Sequence, residues 1–287
     1  MEYGKEVKVV SHLNKLVSII IPVKNEGNHI KNTLHSLFEV KTDYAFEVIV
    51  VDDHSTDQCC DFIKQLKHDT IKLVKADGVG VAMARNIGAK HASGKYIIFC
   101  DAHLFFEDYW IDRLIKPIEN GLADATNPGI VNAANVHAIG CGYTWDEHLQ
   151  VRWNPPRRDM FESALIAAGC LAMRKDTFDD IDGFERGFRI WGRSDDDISL
   201  KLWLFGYKCV VIPDVRIKHV FRKGKEVPFK FSWDDVNYNL MRMAYSHFNE
   251  ERIKKCKNLI KYSDPDKIIK ELLKSDIKNK MVGIIKG

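Results

Sequence analysis

Asp101-Ala102-His103 places a carboxylate and an imidazole two positions apart. In an extended segment alternate side chains point the same way, so Asp101 and His103 can face one ion while Ala102 turns into the wall. That donor pair suits Mn²⁺ and tolerates Mg²⁺ or Zn²⁺. His219-Val220-Phe221-Arg222 offers another imidazole and a guanidinium, although a strand histidine is by default a core residue and an arginine a surface one. Trp191-Gly192-Arg193-Ser194-Asp195-Asp196-Asp197 sets an aromatic face and a glycine beside carboxylates. This suits a sugar ring, with Asp195 as the candidate base. The same run also reads as a helix start, with Ser194 as cap and an acidic first turn favoured by the dipole. Asp52-Asp53 can accept hydrogen bonds from a nucleobase imide or a ribose hydroxyl, or can build an Asx turn or helix cap. Gly78-Val79-Gly80 has the look of a phosphate loop, but Met83 stands where a dinucleotide fingerprint needs its third glycine, and no P-loop motif exists. Arg85 follows on the next helix, placed for a diphosphate or for the surface.

These groups need a scaffold that gathers them, and residues 17–103 provide the pattern for one. Apolar runs at Val17–Pro22, Phe46–Val51, Ile71–Val74 and Tyr96–Cys100 alternate with helical periodicity at Asn28–Phe38, Thr56–Leu66 and Val81–His91. Buried strands alternating with helices predict an α/β fold with a mostly parallel sheet covered on both faces. Polar clusters follow the first, second and fourth runs: Pro22-Val23-Lys24-Asn25-Glu26, Asp52-Asp53 and Asp101-Ala102-His103. Ligands of open α/β sheets bind at the carboxyl ends of strands, so the three clusters predict one cleft. Gly121–Arg158 reads as loops and edge strands. Cys170–Met173 reads as a strand, Asp176–Phe184 as a short helix and turn, and Ser194–Phe205 as a helix. Lys208–Ile212 and Val215–Phe221 read as two strands. From Trp233 the pattern predicts two or three helices broken at Pro265.

Composition narrows the class. The 287 residues can bury a sizeable core, and 45% hydrophobic with 29% charged residues is ordinary for a globular chain. A net charge of +3 gives no case for nucleic acid. The lysine-rich stretch Arg252–Lys286 reads as a solvated helical surface. Seven cysteines without a C-x-x-C pair fit a reducing compartment. No apolar run is long enough to span a bilayer, and Met1–Lys15 lacks the apolar core of a signal peptide. The expected location is cytoplasmic; the oligomeric state is left open.

Four stretches carry a family resemblance: Val17–Glu26 (VSIIIPVKNE), Val50–Asp57 (VVDDHSTD), Ala84–Gly88 (ARNIG) and Gly94–His103 (GKYIIFCDAH). They resemble the nucleotide-sugar half of GT-A glycosyltransferases of the family 2 type. The second half is similar to polypeptide N-acetylgalactosaminyltransferases, which have Asp-x-His, a Trp-Gly-rich acidic motif and a His-Val-Phe-Arg segment. Here these are Asp101–His103, Ile190–Ser199 (IWGRSDDDIS) and His219–Lys223 (HVFRK), with Gly142–Pro155 (GYTWDEHLQVRWNP) as a further matching stretch.

The resemblance implies a GT-A fold with a Rossmann-like, mostly parallel sheet and a C-terminal helical extension. It divides the chain into a catalytic domain over 1–232, with a donor half (17–103) and a metal and acceptor half (104–232), and an extension over 233–287. It implies Mn²⁺ on Asp101, His103 and His219. Pro22, Val23, Asn25, Glu26 and Asp53 would form the donor site around uracil, with Arg85 near base or diphosphate and Arg222 at the diphosphate. Ala168-Gly169 and Trp191-Gly192 would face the sugar, beside a catalytic Asp195, and Ala102 would belong to the donor site. The implied reaction moves a hexose such as GalNAc or GlcNAc from a UDP-sugar to a peptide Ser, Thr or Cys side chain. Alternatives are a saccharide or lipid-linked saccharide acceptor, or an inactive nucleotide-sugar-binding protein. Three positions in two motifs depart from the pattern: the family's Trp-Gly-Gly-Glu is Trp191-Gly192-Arg193-Ser194, and its Ala-Gly-Gly is Ala168-Gly169-Cys170.

Overall fold

The computed structural model describes residues 16–66, 69–222, 227–275 and 277. The readings of Met1–Lys15, of Lys223 and of the end of the lysine-rich stretch lie outside these residues.

In chain order the elements are β1 (Val17–Val23), α1 (His29–Glu39), β2 (Phe46–Asp53), a 3₁₀ turn (Asp61–Gln65), β3 (Ile71–Ala76), α2 (Val81–His91), β4 (Tyr96–Cys100), β5 (Leu104–Phe105) and α3 (Trp110–Glu119). Then follow β6 (Ala125–Asn132), β7 (Asn135–Cys141), β8 (Tyr143–Trp145), β9 (Val151–Trp153), β10 (Phe161–Glu162), β11 (Cys170–Arg174), α4 (Lys175–Asp180), α5 (Ser194–Leu204) and β12 (Cys209–His219). The end of the described chain is helical, with α6 (Trp233–His247), α7 (Glu250–Asn258) and α8 (Pro265–Leu272).

Among the described residues one sheet runs in the order β10-β12-β6-β11-β4-β1-β2-β3, with β5 paired to β12 and β7 to β6. The β4-β1-β2-β3 half is parallel, as is β12-β6, while β11 runs antiparallel between β4 and β6. The carboxyl ends of β1, β2, β4 and β12 therefore share one edge with the amino end of β11.

Alternation along β1 divides the core between the two faces. Ile19 and Ile21 belong to the apolar cluster under α1 and α3, whereas Ile20 belongs to the one under α2 and the final helices. On α1 the buried residues Ile30, Leu34 and Leu37 recur at helical spacing. Gly88 lets α2 lie close on β1, because a Cβ there would stand 2.3 Å from Ile20 Cγ2.

Four sequence expectations are corrected. Thr56–Leu66 forms only a 3₁₀ turn, after a side-chain bond three residues on from Asp52 (Ser55 N–H to Asp52 Oδ1, 2.9 Å) and an Asx turn at Asp57 (Cys59 N–H to Asp57 Oδ1, 3.1 Å). Within Gly121–Arg158, β6 is not an edge: it lies between β12 and β11, and its Asn, Pro and Gly residues masked a strand. The two strands expected at 208–221 are one, β12, whose register against β6 shifts between Ile212 and Arg216, around Pro213. Pro265 opens α8 instead of breaking a helix, since its missing N–H costs nothing at the first position and Asp264 caps it.

The final helices share the core of the sheet: Met241, Ala244, Leu272 and Ile277 lie in one cluster with Ile20, Ile49 and Phe99. A buried ion pair fastens them. Arg242 Nε lies 2.8 Å from Glu185 Oε1, with both side chains at most 1% exposed. Gly187 makes the room, for its Cβ would fall 2.0 Å from the guanidinium carbon. Removing one partner of a buried pair strands a desolvated charge. Arg242→Ala is therefore expected to cost about 3–5 kcal/mol, read as a lowered midpoint in urea unfolding; an unchanged midpoint removes the pair from the fold's supports.

Candidate active site

The candidate metal-ligating side chains meet where the strands end. Asp101 follows β4, and its N–H donates to Gly169 O (2.8 Å) on the segment entering β11. Gly169 lies so close that a Cβ would sit 2.7 Å from Asp101 Oδ2. The pairing of β12 with β5 sets His219 opposite Leu104, and Val220 N–H donates to His103 O (3.1 Å). His219 is thereby seated against His103, with ring centroids 4.7 Å apart at 76°. One ligand atom each from Asp101, His103 and His219 lies within 4.8 Å of the others.

The surroundings favour a cation. Burial alone would raise the Asp101 carboxyl, but the His219 hydrogen bond and the charges of Arg85, His103 and His219 outweigh it and hold the group well below the usual carboxylate range. His103 Nδ1 is 3.3 Å from Glu26 Oε2. With the proton on that nitrogen, Nε2 keeps its lone pair, the arrangement by which a carboxylate orients a metal-binding imidazole. Burial works to raise the Glu26 carboxyl, but bonds from His103 and Arg222 prevail and lower it. His219 Nε2 faces Asp101 Oδ2 at 3.3 Å, while its buried Nδ1 has no hydrogen-bond partner among the described residues. A carboxylate oxygen and two imidazole nitrogens at this spacing fit a divalent ion of the Mn²⁺ type.

Arg85 connects this group to the next. Its guanidinium is 3% exposed, bonds Asp101 Oδ1 (3.0 Å) and Ser194 Oγ (3.3 Å), and lies 3.5 Å from Asp195 Oδ1. The Ser194 hydroxyl is in turn 3.1 Å from Asp195 Oδ1, and Ala168 N–H donates to Asp195 Oδ2 (3.2 Å). Burial raises the Asp195 carboxyl above its ordinary value; Arg85 opposes the shift and Asp101 adds to it.

The acidic run divides its labour. Asp196 accepts from Tyr143 Oη (2.8 Å), Trp145 Nε1 (3.2 Å) and Arg193 (2.9 Å), and Asp197 bonds His247 Nε2 (2.7 Å) on α6. Asp195 is the member that faces the cavity. The preceding loop is held from below by the fully buried Asn239 of α6. Asn239 accepts from Arg189 N–H (2.8 Å) and donates to the carbonyls of Arg189 (2.8 Å), Trp191 (3.1 Å) and Gly192 (3.1 Å).

These groups line a cavity of about 390 Å³, within the range of small-molecule sites. Pro22, Val23, Glu26, Asp53, Arg85, Asp101, Ala102 and His103 line it, as do Gly169, Trp191, Asp195, His219 and Arg222. Two candidates do other work. Asn25 does not line the cavity; its side chain ties Thr56 N–H (2.7 Å) to Pro228 O (3.1 Å). Gly192 is likewise off the wall, at φ 101°, where the chain turns into α5.

Three more are differently engaged than expected. Both oxygens of Asp53 accept backbone N–H groups, from Val79 (2.6 Å) and Gly80 (2.9 Å), so the glycine loop that looked fit for phosphate is bound to Asp53. Arg222 lies against Glu26, with Nη1 3.1 Å from Oε1 and Nη2 on Oε2. Arg85 points between the two carboxylates and not to the surface.

Sequence reasoning missed Ile130, because β6 was unseen, and Phe229 and Phe231. The alternation Phe229-Lys230-Phe231 was the available signal.

This fold is the GT-A fold. Solved structures that share it include GalNAc-T7 with UDP, GalNAc and Mn²⁺ (23% identity, TM-score 0.70, 83% of this chain and 50% of that one). Another is Staphylococcus aureus TarS residues 1–349 with UDP-GlcNAc (20% identity, TM-score 0.61, 85% and 70%). Residues 18–180, more than half of the chain, match the glycosyl transferase family 2, and the chain belongs to that family. Residues 147–224 also match a family described as the N-terminal domain of galactosyltransferase. Similar curated proteins include polypeptide N-acetylgalactosaminyltransferase 11 of Xenopus tropicalis, 26% identical over 82% of this chain and 43% of that protein. A second is the probable N-acetylgalactosaminyltransferase 8 of Caenorhabditis elegans, 27% identical over 86% and 62%. The chain thus spans roughly half the length of these relatives.

Two variants test the site without touching its ligands. Gly169→Ala presses a methyl group on Asp101, and Glu26→Gln weakens the carboxylate that orients His103. Each is expected to weaken Mn²⁺ binding by about 10–100-fold, followed by the electron spin resonance of free Mn²⁺ in the presence of UDP. Wild-type affinity in both would separate these residues from the metal.

Proposed function

We propose that this chain transfers a hexose or N-acetylhexosamine from a UDP-sugar to a hydroxyl or thiol of an acceptor, with Mn²⁺, or Mg²⁺ in its place. The observation that carries the reading is Arg85: one buried guanidinium lies 3.0 Å from the carboxylate of the candidate metal site and 3.5 Å from the candidate base. That links a charge-neutralising group to a proton-accepting group across one cavity, as displacement of a diphosphate requires. In this proposal residues 17–103 hold the nucleotide, 104–232 the metal and acceptor side, and 233–287 the supporting helices.

When bound, the cation on Asp101, His103 and His219 would supply positive charge against the charge developing on the departing diphosphate. Arg222, oriented by Glu26, would donate to the same diphosphate. Pro22 and Val23 would wall the uracil, and Asp53 would hold the 78–80 loop beside it. Trp191 and Gly169 would bound the sugar. In an inverting transfer Asp195 would take the acceptor proton; in a retaining transfer it would orient donor and acceptor. The similarity to polypeptide N-acetylgalactosaminyltransferases supports a peptide Ser, Thr or Cys acceptor. A saccharide acceptor is favoured by a row of exposed rings that leaves the cavity mouth.

A screen of UDP-sugars with Mn²⁺, scored by UDP release, tests the reaction; no release from any of them, with any acceptor, sinks it. Asp195→Asn should lower transfer by about 100-fold or more while UDP affinity persists, and unchanged transfer would remove Asp195 from the chemistry. Because the Asp195 carboxyl is raised, its basic form is lost sooner as pH falls. The acid limb of the transfer rate should therefore lie above the ordinary aspartate value of 3.8, and a flat profile down to that pH would contradict the assignment.

A further inference from the structure

Aromatic side chains continue from the cavity across the surface of the final helices. Trp191 and Phe231 line the cavity, with centroids 5.3 Å apart. Phe231 is followed by Trp233 at 6.2 Å, and Trp233 by Tyr262 at 5.9 Å. Three of these rings are open to solvent: Trp191 is 46%, Trp233 52% and Tyr262 82% exposed. Exposed apolar side chains joined in a contiguous row mark an interaction surface, whereas scattered single ones need no explanation.

The far end is built, not incidental. Tyr262 stands at φ 65°, a left-handed conformation that bulky residues rarely adopt and that stores about 1 kcal/mol or more. Its neighbours are pinned by Asn237 of α6, whose amide donates to Lys261 O (2.9 Å) and Ser263 Oγ (3.0 Å). In this conformation the most exposed ring of the row lies beside Trp233. Nothing in the core gains from this, since Tyr262 is almost wholly in solvent.

Resting on the proposed glycosyl transfer, we propose that this row is an acceptor subsite for a saccharide several residues long, its end in the cavity beside Asp195 and its body across Trp233 and Tyr262. Pyranose rings present C–H faces that stack on aromatic rings, and their hydroxyls find partners at the edge in Asp234 and Lys267, which lie 3.6 Å apart. A peptide bound by strand addition would need free main-chain partners. The backbone here is engaged in caps instead: Asp235 N–H donates to Ser232 Oγ (3.1 Å), and Asp266 N–H to Asp264 Oδ1 (2.9 Å).

The test uses the full chain and chitohexaose, cellohexaose and laminarihexaose as probes, followed by calorimetry. At least one should bind, and Trp233→Ala and Tyr262→Gly should each weaken it ten-fold or more. Trp203→Ala, at an exposed tryptophan outside the row, should leave it unchanged. Tyr262→Gly relieves the left-handed strain, so its melting temperature should stay equal or rise; loss of binding with that behaviour is not unfolding. The subsite is overturned if no hexaose binds, if the ring variants bind like wild type, or if the variants lose only a mixture of Ser/Thr peptides. UDP affinity is measured alongside. Failure of UDP to bind counts against the donor assignment, whereas UDP binding without saccharide binding counts against the subsite alone.

Discussion

A guanidinium taken out of water must be met by charge or hydrogen bonds, and Arg85 organises the molecule around that demand. It rises from α2 into the space where β4 ends and α5 begins, over the Phe184 ring at 5.2 Å. Asp101, Ser194 and Asp195 answer it from two distant parts of the chain. Both carboxylate partners are themselves tied to backbone: Asp101 to Gly169, Asp195 to Ala168. The close fit of α2 on β1 through Gly88 sets the height at which Arg85 stands. Helix packing, strand register and the spacing of the candidate catalytic groups are thus one geometric problem with one solution.

The acidic run shows how identical side chains acquire separate duties. On a helix, Asp195, Asp196 and Asp197 point about 100° apart in succession. The first is left to the cavity. The second gathers Tyr143, Trp145 and Arg193, drawing the β8–β9 hairpin onto α5. The third reaches His247, drawing in α6. Ser194, where relatives of the resembled family carry glutamate, relays a hydrogen bond between Arg85 and Asp195. Arg193, at φ 66°, spans to Leu149 O (2.9 Å).

Much of this was legible in the sequence, for local reasons. β1, β2 and β4 are near-continuous apolar runs, and α1 and α2 carry helical spacing, so the parallel half and its three polar strand ends could be read directly. The grouping of Asp101, His103 and His219 drew its third residue from a motif, since nothing local tells a strand histidine of the core from one beside a strand end. What stayed hidden depends on partners far along the chain. β6 was obscured because Asn127, which bonds Ala167 O (2.9 Å) and Cys170 O (2.6 Å), looks like a loop residue. Asn25 and Asp53 were chosen for their chemistry, yet their side chains hold neighbouring loops, and Arg222 was placed without its Glu26 partner. The work of Asn239 had no signature at all, being a lone amide on a helix whose three carbonyl acceptors lie about fifty positions earlier.

That amide alters how the chain should tolerate change. Asn239 ties the loop that carries Trp191 to a helix whose inward face otherwise serves packing, so the map of sensitive positions will not coincide with the map of positions near the cavity. A saturation scan scored on function would mark the inward face of α6 as strongly as the wall itself. Its outward face beyond Trp233 and Asp234 would drift freely, and related chains could vary their final helices only as far as that polar anchor stays in register.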